Sequence, residues 1–262
     1  MFIIGELING MYQNIGKALK NRDGDAIKKI ALEQIREGAD ALDVNCGPSS
    51  RDPVSDIKWL VETIQEVTDK PLAIDSSKPQ VIRAGLEALK NKAIINSTTA
   101  DEDKLETLIP LAKKYHAKLI GITISAKGIP QNKDQRLELA ASIVAACQDK
   151  GFSPEDLYLD PIVLPLNVAQ AQMKDILEAI RDFKIISQPS PKTIVGLSNV
   201  SQGACGRSLI NRTFLTMALA HGLDAVILDP KDRELMDATI TAMLILNKQI
   251  YCDSYLDAYR KK

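Results

Sequence analysis

A short apolar run, followed by a polar residue and an amphipathic segment, recurs along this chain at intervals of about 30 residues. Eight such runs occur, at residues 2–5, 41–44, 72–74, 93–95, 118–124, 157–159, 193–197 and 225–228. Continuous apolar runs are typical of parallel strands that helices cover. The segments between them have apolar residues three and four apart, as crossover helices do. Eight strand–helix units in about 250 residues predict an α/β fold, a single (β/α)₈ TIM barrel.

An open, doubly wound sheet is the structural alternative. It normally gathers its ligand chemistry behind a glycine-rich turn after the first strand, and neither GxGxxG nor GxxxxGK[ST] occurs in the chain. Polar residues instead close nearly every run: Glu6, Asn9, Asp43, Asn45, Asp75, Ser76, Asn96, Ser97, Ser125, Asp160, Asn199 and Asp229. A ring of polar side chains at one mouth is what a barrel produces, so this pattern favours the barrel.

Charge and composition exclude several classes of protein. Lys and Arg total 33 against 34 Asp and Glu, which is not the basic excess of a nucleic-acid binder. No apolar stretch approaches the roughly 20 residues that span a bilayer. Four cysteines lie far apart, without a CxxC pair, which favours reduced thiols and a cytoplasmic protein.

We interpret residues 1–262 as one domain, because the chain has no linker or low-complexity tract. The stretch from Pro161 to Gln172 is long for a loop between a strand and a helix, and we expect it to shape the rim of a pocket. Residues 251–262 are interpreted as a final helix that packs either on the barrel or on a second subunit. Gly38 and Gly222 are predicted to end helices in the left-handed conformation.

Histidine and cysteine chemistry is poorly supported. His116 and His221 lie at helix ends, where a cation favours the helix dipole, so a catalytic triad or a histidine metal site is not expected. Cys46 and Cys205 follow strands, but no basic partner stands beside Cys46.

Five strand ends carry the remaining candidates: Asp43, Asp75, Asn96, Asp160 and Asn199. Carboxylates and amides together suit a hydrogen-bonding pocket for a flat, nitrogen-rich heterocycle better than they suit a hard metal. The alternative is that such residues cap the next helix, which we weigh most strongly for Ser97 and Asp229.

Five stretches carry a resemblance to a known family: GELING, ALDVNCGPSS, PLAIDSSKPQVIRAGLEALKNKAIINST, DLYLDPIVLPLNVAQ and GLSNVSQGACGRSLINRTFL. In this order they resemble the methyltetrahydrofolate:corrinoid protein methyltransferases of anaerobic one-carbon metabolism. The third also resembles the folate domain of cobalamin-dependent methionine synthase. Two departures stand out: Leu7 replaces an arginine frequent in that family, and the sequence around Cys205 and Gly206 differs.

The resemblance implies a pterin-binding barrel, usually a homodimer, that moves a methyl group between N-5 of tetrahydrofolate and the cobalt of a corrinoid (cobalamin) carried by a partner protein. It implies no intrinsic metal. It implies that Asp75, Asn96 and Asp160 hydrogen-bond the pterin. The residues it places around N-5 are Asn199, as the catalytic group, with Ser198, Gln202 and Arg207 nearby.

Three alternatives stay open at this point. A dihydropteroate synthase shares the barrel and the pterin pocket, although its Thr-Pro-Asp-Ser-Phe loop motif is absent here. A non-catalytic folate-binding protein would bind without turnover, and a metal-dependent aldolase or hydrolase would need a divalent ion. The direction of transfer is open too: folate to corrinoid, as in acetogenic carbon fixation, or the reverse, as in O-demethylation.

Overall fold

A closed barrel of parallel strands forms the centre of the molecule. The computed structural model describes residues 1–250, in which eight strands pair in chain order and β8 pairs back with β1. The strands are β1 (Phe2–Asn9), β2 (Ala41–Asn45), β3 (Leu72–Asp75), β4 (Ala93–Thr98), β5 (Lys118–Ile122), β6 (Leu157–Asp160), β7 (Lys192–Gly196) and β8 (Ala225–Leu228). Each predicted apolar run overlaps one strand, so the predicted (β/α)₈ barrel is confirmed.

Helices connect the strands and cover the outside of the barrel. They are α1 (Gln13–Asn21), α2 (Gly24–Arg36), α3 (Pro53–Gln65), α4 (Pro79–Ala88), α5 (Glu102–Lys114), α6 (Lys133–Asp149), α7 (Leu166–Ala169), α8 (Met173–Phe183), α9 (Arg207–Ala220) and α10 (Arg233–Ile245). Asp52 and Asp232 cap α3 and α10 by accepting a backbone N–H three residues ahead. Gly38 and Gly222 have φ of 104° and 94°, which confirms the two predicted left-handed ends.

The outward faces of the strands pack against the helices in two buried apolar clusters. The larger cluster lies under α1 to α6, and the smaller one under α8 to α10. Fully burying one Leu or Ile side chain contributes about 1.5–3 kcal/mol, so these clusters fix the barrel that carries the mouth. Among residues 1–250, none of the helices has the length and apolar character that a membrane span requires.

The inside of the barrel is filled in layers, because residues two apart on a strand face the same side. One residue from each strand forms a buried layer: Ile4, Ala41, Ala73, Ile94, Ile120, Tyr158, Ile194 and Ala225. Two positions further along each strand stand Glu6, Asp43, Asp75, Asn96, Ile122, Asp160, Gly196 and Ile227. The interior therefore changes from apolar to polar at the C-terminal mouth.

Some boundaries differ from the sequence-based prediction. Strand β1 continues to Asn9, so Glu6 lies within it instead of following it. Residues Leu197–Ser201 form a 3₁₀ helix, which places Asn199 in a tight turn directly after β7. The long stretch from Pro161 to Gln172 contains α7 and a second 3₁₀ turn. The predicted final helix at residues 251–262 lies outside the described residues.

Candidate functional site

Two carboxylate–amide pairs interleave across three neighbouring strands at the mouth. Asn96 of β4 donates from Nδ2 to Oδ1 of Asp43 on β2 at 2.9 Å. Asn45 of β2 donates from Nδ2 to Oδ2 of Asp75 on β3 at 2.6 Å. Asp75 and Asn96 are partners in the register of β3 and β4. Each amide holds one carboxylate oxygen, and the two pairs form a fixed polar wall.

Asp160 supplies the opposite side of the polar layer. Its Oδ1 accepts the backbone N–H of Ile162 at 2.8 Å, and the backbone N–H of Gly196 also donates to this carboxyl. A Cβ at Gly196 would lie 3.0 Å from Nδ2 of Asn199, so the glycine leaves room for that amide. Gly196 of β7 therefore lies next to both Asp160 and Asn199.

Three more of the predicted residues, Ser198, Gln202 and Arg207, lie between the 3₁₀ turn after β7 and the start of α9. Ser198 donates from Oγ to Oε1 of Glu6 at 2.6 Å, past the end of β8, which lies between β7 and β1 in the barrel. Arg207 donates from Nε to Oγ of Ser201 at 3.1 Å, which ties the start of α9 to the turn. Gln202 and Asn199 are exposed on the rim. The structure therefore brings the predicted set to one mouth, with Gln202 on its outer edge.

Burial sets the acidity of the carboxyl groups in this layer. It raises the pKa of Asp160 to about 7, although two backbone N–H groups oppose the shift. Burial raises the pKa of Asp43 and of Asp75, and the nearby Asp75 charge adds to the effect on Asp43. Burial also raises the pKa of Glu6. Groups of this kind accept hydrogen bonds when ionised and hold a proton when not.

Comparison with known proteins places this arrangement in a family. The sequence profile described as "Pterin binding enzyme" matches residues 6–229, which include the whole polar layer.

The chain belongs to the pterin binding enzyme family.

Relatives of this pterin binding enzyme cover it at full or nearly full length. It is 29% identical over 266 residues to a methylcorrinoid:tetrahydrofolate methyltransferase of Eubacterium limosum, covering 100% of this chain and 97% of the relative. It is 27% identical over 240 residues to a methionine synthase of Mycobacterium tuberculosis, covering 87% of this chain but 20% of that longer protein. The resemblances to both families are thereby confirmed.

Solved structures of dihydropteroate synthases share the fold of this pterin binding enzyme. The enzyme from Xanthomonas albilineans in complex with 7,8-dihydropteroate superposes with a TM-score of 0.67 at 15% identity, covering 94% of this chain and 92% of that chain. The enzyme from Stenotrophomonas maltophilia gives 0.66 at 16% identity, with the same coverage. At this identity the likeness shows the barrel fold alone.

The helix-capping alternative is wrong for the two residues to which it applied most strongly. Asp229 accepts the backbone N–H of Lys231 at 2.8 Å in a local turn, and Asp232 is the residue that caps α10. Helix α5 begins after Asp101, four residues beyond Ser97.

The histidines lie away from the mouth. His116 and His221 stand just before β5 and β8, and so at the opposite end of the barrel. Among the thiols, burial raises the pKa of Cys46, which disfavours a thiolate nucleophile there, while Cys205 is exposed. No group of three or more His, Cys, Asp or Glu in residues 1–250 is placed to hold a metal ion.

Sequence reasoning missed part of the layer. Asn45 and Glu6 were recognised as polar residues near strand ends but were not proposed for the pocket, and Asp43 was a pocket candidate that the resemblance did not include among the pterin ligands. The signal was that Glu6 and Asp43 lie two residues beyond an inward-facing apolar position, and that Asn45 lies two residues beyond Asp43. Arg136 gave no such signal, because a charged residue near the start of a helix is ordinarily solvent-exposed.

Proposed function

We propose that this pterin binding enzyme moves a methyl group between N-5 of tetrahydrofolate and the cobalt of a corrinoid protein, as one domain of residues 1–262. The observation that carries the proposal is the layer of buried carboxyl and amide groups at the mouth. It occurs in a chain that aligns over its full length with a methylcorrinoid:tetrahydrofolate methyltransferase.

Asp75, Asn96 and Asp160 are proposed to bind the pterin ring. An ionised carboxylate accepts two neighbouring N–H groups at once, as the amino-pyrimidine edge of a pterin offers them. An amide can donate to a ring nitrogen and accept from an N–H in the same plane. Because amides already fix Asp43 and Asp75, the site is organised before the ligand arrives.

Asn199 is proposed to act at N-5. A tertiary amine is a poor leaving group, so transfer to Co(I) requires hydrogen-bond or proton stabilisation of N-5 as the methyl group departs. The amide of Asn199 can donate to unprotonated N-5 in one orientation and accept from protonated N-5 in the other. Its exposed position on the rim leaves the methyl group open to an arriving corrinoid.

Three neighbours of Asn199 complete the proposal. Ser198 links the turn to Glu6, whose pKa is raised by burial. Arg207 and Gln202 flank the same turn and are proposed to line the pocket. A corrinoid protein as partner and a homodimer are proposed from the resemblance, and a cytoplasmic location from the cysteine pattern.

The test mixes the protein anaerobically with Co(I) cobalamin and methyltetrahydrofolate. Visible absorbance is followed for loss of Co(I) and gain of methylcobalamin, and the assay is repeated in reverse with methylcobalamin and tetrahydrofolate. We expect transfer in both directions, with the ratio of rates reporting the preferred one. Folate binding without any spectral change, even with corrinoid proteins as acceptors, would favour the non-catalytic alternative and refute the proposal.

A further inference from the structure

Arg136 is a charged residue inside the protein interior. It lies in the first turns of α6, and its side chain is 0% exposed. The charge of Asp175, in the first turn of α8, acts on it through space. The hydrogen bonds that its guanidinium makes within residues 1–250 go to uncharged oxygen atoms. Burying a charge that is not hydrogen-bonded directly to a carboxylate is costly, so its position calls for a role beyond packing.

Two of these hydrogen bonds go to the two ends of the segment from Pro161 to Gln172. Arg136 donates from Nε to the carbonyl oxygen of Pro161 at 2.9 Å and from Nη2 to Oε1 of Gln172 at 2.8 Å. A third bond runs from Nη1 to the carbonyl oxygen of Asn132 at 3.1 Å, at the start of α6 itself. One rigid guanidinium therefore holds both ends of the stretch from Pro161 to Gln172 against α6.

The first of those ends adjoins the proposed pterin carboxylate. The backbone carbonyl of Asp160 accepts from the N–H and the hydroxyl of Thr123, and the next carbonyl, of Pro161, accepts from Arg136. Ile162 then adopts φ of 58°, a left-handed conformation that a β-branched residue avoids unless its surroundings impose it. The N–H of Ile162, in the same planar peptide group as the Pro161 carbonyl, donates to Oδ1 of Asp160 at 2.8 Å.

We propose that Arg136 is a positioning residue for Asp160. The Pro161 carbonyl and the Ile162 N–H belong to one planar peptide group, so the guanidinium that grips the carbonyl also keeps that N–H on the Asp160 carboxylate, which stays aimed into the mouth. The inference rests on the proposed function, because it takes Asp160 to be a pterin ligand.

The test compares Arg136→Gln and Arg136→Lys with the unaltered protein in methyltetrahydrofolate titrations and in single-turnover transfer to Co(I) cobalamin. We expect the Kd to rise about tenfold in Arg136→Gln, the size of one lost hydrogen bond at the ligand. The transfer rate of the bound complex should change less than about threefold, and Arg136→Lys should recover part of the affinity.

A double-mutant cycle separates positioning from general structural support. If Arg136 acts through Asp160, adding Arg136→Gln to Asp160→Asn should weaken binding less than about twofold further. A further tenfold loss in that background would overturn the proposal, as would an unchanged Kd in Arg136→Gln alone. Gln172→Ala, which removes one partly exposed acceptor and leaves the charge, should raise the Kd in the same direction by a smaller factor.

Lys133→Gln is the matched control. Lys133 lies on the same helix and joins it to α8 through Glu178 and Asp182, but it does not contact Pro161. It should leave the Kd unchanged. If the unaltered protein itself neither binds methyltetrahydrofolate nor transfers methyl groups, the proposed function fails and this inference fails with it. If the unaltered protein does both and Arg136→Gln matches it, only the role of Arg136 is refuted.

Discussion

Burial makes Asp160 a weaker acid, and this makes the free energy of unfolding depend on pH. In the folded protein its pKa is raised to about 7 from the usual 3.8. Between these values the folded state holds a proton that the unfolded state has released. Stability therefore falls as the pH rises through this window, by up to about 1.4 kcal/mol per pH unit from this group.

Asp160→Asn should remove that dependence. We expect its free energy of unfolding to fall less steeply between pH 4.5 and 7 than that of the unaltered protein, so that the variant gains relative stability toward neutral pH. Urea unfolding at four pH values measures this difference. Asp134→Asn, at an exposed position of α6, is the control and should keep the original slope. Parallel profiles for Asp160→Asn would contradict the burial argument.

Asn199 acts at the reacting atom in our proposal, so its loss should affect rate more than affinity. Asn199→Ala is expected to slow methyl transfer to Co(I) about 100-fold, as loss of a transition-state hydrogen-bond donor does, while the Kd for methyltetrahydrofolate changes less than about threefold. Stopped-flow absorbance and equilibrium titration give the two numbers. Thr216→Ala, on the exposed face of α9, should alter neither. A change in affinity alone would remove the catalytic assignment.

At the scale of elements, the loops after β1 and β2 meet through two glycines. A Cβ at Gly10 would lie 2.1 Å from the carbonyl oxygen of Cys46, and one at Gly47 would lie 2.6 Å from the backbone of Gly10. Gly47 also has φ of 74° and donates its N–H to Oδ1 of Asn45 at 2.6 Å. The close approach of the two loops therefore helps to fix the side-chain amide of Asn45, which donates to Asp75.

Gly10→Ala should break this contact between the loops. Backbone atoms cannot move aside as a flexible side chain can, so we expect a loss of about 2 kcal/mol or more in the free energy of unfolding, together with weaker folate binding. Gly24→Ala is the matched control, because its added Cβ would meet Cγ2 of Thr63 at an ordinary 3.4 Å. Chemical denaturation and folate titration test both. Equal stability of the two variants would contradict the expectation.

The elements were predictable because their signals are local. Strand β3 appears in the sequence as a short apolar run closed by Asp75, and Gly38 marks the end of α2 before β2. What the sequence does not contain is which amide meets which carboxylate. Asn45 and Asn96 pair with Asp75 and Asp43 only because the pairing register of β2, β3 and β4 brings their ends side by side.

At the scale of the whole molecule, the eightfold repeat of strand and helix predicted the barrel. The barrel in turn predicted that the polar residues at the strand ends lie together at one mouth. Residues that act across long sequence separations escaped prediction. Ser198 and Glu6 are 192 positions apart and meet only because β1 lies beside β8 and near the end of β7. Arg136 is another case: a charged residue in the first turn of a helix is ordinarily exposed, and only the folded chain shows its charge turned inward toward Pro161.

The electrostatics of the mouth also predict how the molecule responds to metals. A divalent ion needs ionised ligands, and binding it must displace protons from them. Burial raises the pKa of Asp43, Asp75 and Asp160 together, and amides hold an oxygen of the first two. This layer therefore favours N–H donors of a ligand over a bare cation.

We accordingly expect protein dialysed against EDTA to retain its rate of methyl transfer to free cobalamin, and added Mg²⁺ or Zn²⁺ to leave that rate unchanged. Activity should instead follow the folate concentration. A metal-dependent aldolase or hydrolase on the same barrel behaves oppositely, because its ion polarises the substrate or activates water. Loss of activity on chelation, restored by a divalent ion, would show that the polar layer binds a cation and that the pterin assignment of its carboxylates is wrong.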